Sequence, residues 1–280
     1  MSISKKVRSV VSGPRDDNHD DMGDGARAAR PRSVLAARVV GRDHELAALR
    51  DAVGAATHGG GRVVFLVGEA GIGKSRLAQV TARDAEQRGL RVLRGRAVPT
   101  ATPVAYRPLA EVLSSAVRAG TAPDAAELAP FRAALGRLVP AWRDDQVADV
   151  DDSVFVLAEG VLRFLRGVAR SDGCLVVLED LHWADPETLT ILEYLADNLA
   201  DENVVCVATV RDESPSPGLD LARTLHSRRA SDLIELRRLA DVDVAEMLES
   251  CLGSDEALPE LMALAARADG VPFLVEELLA

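Results

Sequence analysis

The stretch G-E-A-G-I-G-K-S, residues 68–75, constrains this 280-residue chain more than any other. An apolar run at 62–67 precedes it and suits a buried parallel strand. A helical pattern at 75–87 follows, with Leu77, Val80 and Ala85 on its inward face. Glycines at 68, 71 and 73 let the backbone curl so that successive N–H groups face an anion. The start of the following helix adds the positive end of its dipole. Lys74 is an unusual choice for this chain. Lys and Arg total 33, only three are lysines, and the other two are Lys5 and Lys6. A compact ammonium on a slim stem reaches between two phosphates where the planar fork of arginine crowds the loop. The spacing G-x-x-x-x-G-K-[ST] between strand and helix therefore predicts a loop that cradles nucleotide phosphates. Lys74 would meet the β- and γ-phosphates and the Ser75 hydroxyl a Mg²⁺ ion. A glycine-rich turn with a chance lysine does not account for that context. The glycine spacing also rejects a dinucleotide loop of the G-x-G-x-x-G kind.

The rest of the pattern alternates strands with helices. Strands are predicted at 62–67, 90–96, 174–178, 203–210 and 233–236. Asp43 is placed to cap a first helix carrying Leu46, Leu49 and Val53, and 58–61 is a glycine loop. Helical patterns occupy 109–117, 125–138 and 153–168, with breaks at Pro130 and Pro140. Asp185 caps another helix, with Pro186 at its first position and Leu189, Leu192 and Leu195 on one face. A helix is predicted at 221–227, and past residue 240 the chain is helical only, at 242–252, 258–268 and from Pro272 onward. This alternation implies an α/β fold, a parallel sheet flanked by helices, followed by a small all-α domain. The expected division is a disordered leader at 1–36, the α/β domain at 37–238 and a helical lid at 239–280. The last residues, E-E-L-L-A, fall inside an amphipathic pattern, so we expect either the N-terminal part of a longer protein or a truncated product.

A second motif lies in C-L-V-V-L-E-D-L-H-W-A-D, residues 174–185. An apolar strand ending in two acids puts carboxylates at the carboxyl edge of a parallel sheet, beside the phosphate loop. One such acid can hold Mg²⁺ and the other can orient or deprotonate the attacking water. The pair is Glu179 then Asp180, and the pattern leaves open which is the base.

Five motifs in order then carry a resemblance: V-G-R-D-H-E-L at 40–46, the phosphate loop, L-E-D-L-H-W-A-D at 178–185, A-T-V-R-D-E at 208–213, and G-V-P-F-L-V-E-E-L-L at 270–279. Over residues 37–280 the chain resembles the AAA-type P-loop NTPase module of large LuxR-family transcriptional regulators. That module belongs to the STAND class of signal-transduction ATPases and also opens some adenylate cyclases and serine/threonine kinases. The resemblance implies that Val40, Gly41 and Arg42, with Glu45, lie near the adenine. It makes Gly68, Glu69, Ala70, Gly71, Ile72, Gly73, Lys74, Ser75 and the adjoining Arg76 the phosphate-binding stretch. Ser75, Glu179 and Asp180 become the metal-binding residues. Glu179 and Asp180 match the Walker B acids, although many members have Asp first. Arg211 matches the arginine that reads the γ-phosphate, and Pro272 the G-x-P of the lid that touches the nucleotide. ATP or ADP with Mg²⁺ are the implied cofactors, and slow ATP hydrolysis as a conformational switch the implied activity. Sensor and helix-turn-helix domains further along a longer chain, and self-association, are the implied partners. Rival readings are an initiator-type AAA+ loader, a nucleotide-bound scaffold that does not hydrolyse and, more distantly, a small-molecule kinase.

Charge and cysteines narrow the setting. The net charge is −11 and the arginines are interleaved with acids, so no basic face for DNA is expected in this segment. Apolar runs are far too short to span a bilayer, the N-terminus lacks an apolar signal region, and Cys174, Cys206 and Cys251 lack metal-ligand spacing. Reduced thiols and a cytoplasmic location are expected. The neighbouring residues draw plainer expectations. Trp183 should pack on the helix start at Pro186, Trp142 should anchor core, and Glu276 and Glu277 should be solvated.

Overall fold

Three strands are apolar along nearly their whole length, and these lie in the middle of the sheet. They are β1 (Arg62–Gly68), β3 (Cys174–Glu179) and β4 (Val204–Arg211). The edges are β2 (Arg91–Arg96) and β5 (Ser231–Glu235), which are only partly buried. The computed structural model describes residues 38–100, 104–143, 153–170, 172–213, 215–252 and 268–279. All five predicted strands are present in one parallel sheet, in the order β2-β3-β4-β1-β5. Register pairs Gly68 with Arg211 and Arg96 with Glu179, so these four residues share the carboxyl edge.

Helices cover both faces because both faces of the central strands are apolar. On one side Val64, Leu66, Val177 and Val207 pack under α1 (Asp43–Ala56) and α2 (Lys74–Gln87). On the other, Phe65, Val176, Leu178 and Cys206 pack under α3 (Arg107–Arg118), α6 (Val154–Ala169), α7 (Pro186–Asn198) and α8 (Pro217–Ser227). The predicted helix at 125–138 is interrupted at Pro130. It runs as α4 (Ala125–Leu128), a 3₁₀ turn and α5 (Arg132–Leu135), because proline cannot supply the next helical N–H. Two further helices, α9 (Asp241–Leu252) and α10 (Pro272–Leu279), share a separate apolar cluster: Leu239, Val244, Met247, Leu248 and Val275, together with Val40. The expected leader at 1–36 and nearly all of the helix expected at 258–268 lie outside the described residues.

Local signals held where side chains had nothing better to do. Asp185 caps α7, accepting from the Thr188 N–H at 2.9 Å and from the Thr188 hydroxyl at 2.6 Å. Asp43 is not the cap of α1. Arg42 holds that position and Asp43 is the first helical residue. The buried Arg42 side chain is drawn across the fold to the carbonyls of Ile72 and Arg237, which sets where the helix begins. Cys174 and Cys206 are free and buried, and burial pushes both thiols up to about 12, as expected of core cysteines. Trp142 packs its ring 5.8 Å from Phe164, with the Arg132 guanidinium over its face at 5.4 Å. Among the described residues no helix is long and apolar enough to cross a membrane.

Candidate nucleotide-binding site

Between β1 and α2 the chain turns through Gly71 (φ +74°) and Gly73 (φ +105°), both left-handed conformations that L side chains resist. At Gly71 a second constraint is added. A Cβ there would sit 3.0 Å from the Cβ of Phe273 and 3.3 Å from Val271. The Gly71 carbonyl accepts a hydrogen bond from the Phe273 N–H at 3.2 Å, so the loop is tied directly to the first turn of α10. An exposed ionic bridge runs parallel to this bond. Arg238 donates to Glu69 at 2.8 Å and also pairs with Asp269, just ahead of α10.

Lys74 is the first residue of α2 and is buried. Its Nζ donates to the carbonyls of Gly68 and Glu69, each at 2.7 Å. Burial first, and then the positive charge of Arg211, pushes its ammonium down to about 8. A charge in that environment gains strongly from any anion brought beside it.

The two acids at the end of β3 diverge. Asp180 adopts a left-handed turn (φ +59°), and its N–H donates to the hydroxyl of buried Thr209 on β4. Asp180 lines the cleft together with residues of the phosphate loop, while Glu179 lines a neighbouring groove with Ser75 and Arg76. Asp180 is held by Arg96 from β2, whose Nε and Nη2 lie 2.8 and 2.7 Å from its Oδ2.

These elements enclose a cleft of about 340 Å³. Of the expected residues, Val40, Arg42, Ala70, Gly71, Ile72, Gly73, Lys74, Ser75, Arg76, Asp180, Arg211 and Pro272 line it. Gly41 does not; it lies against Asp243 of α9, where a Cβ would come within 2.6 Å. Gly68 and Glu69 support the loop from behind, through the bonds already given. Lining residues that no motif announced include Arg38, Arg96, Leu239 and Met247. Arg96 was legible in principle, since it ends a strand at the same edge as the acids. Glu276, expected to be a solvated helix position, also lines the cleft. Trp183 is half-exposed, and its ring lies 5.1 Å from that of His182. The cations lining the cleft are Arg38, Arg42, Lys74, Arg76, Arg96 and Arg211, against the acids Asp180 and Glu276. In a chain of net charge −11 this is a strong local reversal of sign, suited to a polyanion.

Comparison with known proteins agrees with this geometry. The AAA ATPase domain family matches residues 38–207. An uncharacterized protein of Rhizobium meliloti (strain 1021) is 29% identical over 263 residues, covering 86% of this chain and 24% of that protein. This chain thus spans about a quarter of the length of that relative. Among solved structures, the Aeropyrum pernix ORC1 protein in complex with DNA is similar with a TM-score of 0.51 at 17% identity, over 89% of this chain and 60% of that one. The Aeropyrum pernix ORC2 protein in its ADP form is similar with a TM-score of 0.51 at 16% identity, over 86% and 62%. At such identities the likeness is one of fold.

Proposed function

Since the chain belongs to the AAA ATPase domain family, we propose that its cleft binds ATP and ADP with Mg²⁺ and that slow hydrolysis switches the position of α9 and α10. The observation that carries this is the reversal of charge around Lys74, with the phosphate loop bonded through Gly71 to α10. Triphosphate oxygens would take the place of the Gly68 and Glu69 carbonyls on the Lys74 ammonium. That exchange releases the loop carbonyls next to the Glu69–Arg238–Asp269 bridge, so the state of the nucleotide is felt at the base of α10. Val40, Leu239 and Met247 supply an apolar wall for a base.

Mg²⁺ takes one or two carboxylates and completes its shell from phosphate oxygens and water, and Ser75, Glu179 and Asp180 fit that requirement. The ion would neutralise charge on the transferring phosphoryl group. Asp180 is the better candidate of the two acids to take a proton from water, because it lines the cleft and Glu179 does not. Its carboxylate is also held by the Arg96 guanidinium, and that engagement supports a slow rate. Arg211, beside Gly68 at the edge, is placed to meet the terminal phosphate. The same Arg96–Asp180 pair favours a second reading, a nucleotide-bound scaffold that does not turn over.

We place the module within a LuxR-family transcriptional regulator of the cytoplasm, on the five motifs in order, with DNA contact made elsewhere in the longer protein. The test is to denature the purified protein and identify the nucleotide released, then to measure phosphate release. Adenine nucleotide near one per chain, with release abolished by Lys74→Ala and by Asp180→Asn, is expected. No saturable uptake of adenine nucleotide in the presence of magnesium would sink the proposal. Uptake without release would leave the scaffold.

A further inference from the structure

A second cavity of about 270 Å³ is lined by residues that follow the carboxyl ends of β2 and β3. Its walls include Pro99, Val104, Arg107, Pro108, His182 and Trp183. Three features mark it as built for a ligand. Trp183, one of only two tryptophans in the chain, is 49% exposed at its lip, and Val104 is 56% exposed beside it. An aromatic platform next to apolar walls is the usual lining of a small-molecule site. Next, both ring nitrogens of His182 are closed off from solvent and have no hydrogen-bond partner. An imidazole always carries at least one N–H, so this is an unfavourable state, and rotation of the ring toward a polar group in the cavity relieves it.

The third feature is charge. Arg107 opens the 12-residue helix α3 and donates through Nε to Glu111 at 3.2 Å, which leaves its paired Nη groups for another acceptor. The acids around it are already engaged. Both oxygens of Asp185 accept from Thr188, and Glu111 accepts from Arg107 and from the Arg96 N–H at 3.0 Å. The helix start adds the positive end of its dipole. An anion is favoured, and the flat apolar walls favour an unsaturated or aromatic body.

The cavity is wired to the nucleotide site. Arg107 holds Glu111, Glu111 holds the main chain of Arg96, and the Arg96 guanidinium holds Asp180. An acceptor that draws Arg107 away from Glu111 loosens the strand end that restrains the acid. His182 follows Asp180 by two residues, which is a second route. We propose that this cavity is an effector site for a small flat carboxylate, and that its occupancy changes the hold of Arg96 on Asp180. The binding claim stands without the nucleotide reading; only the coupling rests on it.

The test uses the Trp142→Phe protein, in which Trp183 is the sole indole. Benzoate, indole-3-carboxylate and the neutral benzamide are titrated while Trp183 emission is read. A saturable change with at least one carboxylate, with a dissociation constant on the order of 1 mM, is expected for ligands of this size. Benzamide should bind at least fivefold more weakly. Arg107→Gln and His182→Phe should each weaken carboxylate binding about tenfold. His182→Phe should not lower the melting temperature, because it removes unpaired polar atoms. No saturation by either carboxylate at 10 mM, or equal binding by the Phe variant, overturns the site. Coupling is read as ADP affinity by calorimetry with and without saturating carboxylate. A shift of about threefold, lost in Glu111→Gln, is expected, and no shift overturns the coupling. If carboxylate binds but ADP does not, the nucleotide reading fails and the second site stands.

Discussion

Alkaline pH should loosen nucleotide binding through Lys74, and the size of the effect follows from the burial of this one ammonium. Its ionisation is pushed down to about 8 by burial and by Arg211. Bound phosphates favour the charged form, so the nucleotide complex keeps its proton well above pH 8. At pH 7 about nine in ten free molecules carry the charge, and at pH 9 about one in ten do. Affinity for Mg·ATP should therefore fall about tenfold between pH 7 and pH 9, with the slope approaching tenfold per unit above that. Calorimetry at pH 8 in two buffers of different ionisation enthalpy measures the linked proton, and uptake of about half a proton per site is expected. Arg211→Gln removes the second-largest cause of the shift and should move the alkaline fall to higher pH, while weakening binding overall. The nucleotide-free protein should show the opposite trend. The unfolded chain keeps the Lys74 proton to about 10.5 and the folded chain releases it near 8. The unfolded state thus binds more protons in that window, and this group makes stability rise with pH across it. Affinity that stays flat from pH 7 to 9.5, with no buffer-dependent heat, would refute the argument.

Other residues give independent checks. Arg96→Ala frees the Asp180 carboxylate and should raise phosphate release several-fold in a single-turnover assay; a fall of more than tenfold would mean that Arg96 itself acts on the phosphates. Gly71→Ala forces a Cβ against Phe273 at a left-handed φ and should cost about 1–2 kcal/mol in urea unfolding. An unchanged midpoint would show that α10 is not packed on the loop. Asp185→Ala removes both bonds to Thr188 and should cost about 1–2 kcal/mol, with Asp185→Asn recovering part of it.

Much of the fold was legible because its signals are local. A run such as Val63–Val67 is apolar on both faces, and only a strand covered on both sides can use it. The Asp185–Pro186 pair announces a helix start within three residues, and the bonds to Thr188 bear it out. Other features depend on partners far away in sequence. Asp43 looked like a cap because the nearest alternative was an arginine. Nothing local reveals that Arg42 is drawn to Ile72 and Arg237. Glu276 sits in a helix whose pattern reads as solvated, and only the placement of α10 against the loop turns it into the cleft.

Residue order alone determined the phosphate loop, since glycines that permit positive φ and a lysine at a helix start act within one turn of chain. It also determined the three central parallel strands, because continuous apolar runs have no stable exposed form. The tertiary structure alone decided which acid lines the cleft and what restrains it. The left-handed turn at Asp180 separates it from Glu179, and the parallel register of β2 beside β3 delivers Arg96 to its carboxylate from 84 residues away. Side-chain direction at a strand end is set by register and by the local turn, and neither is written in the identity of the two acids.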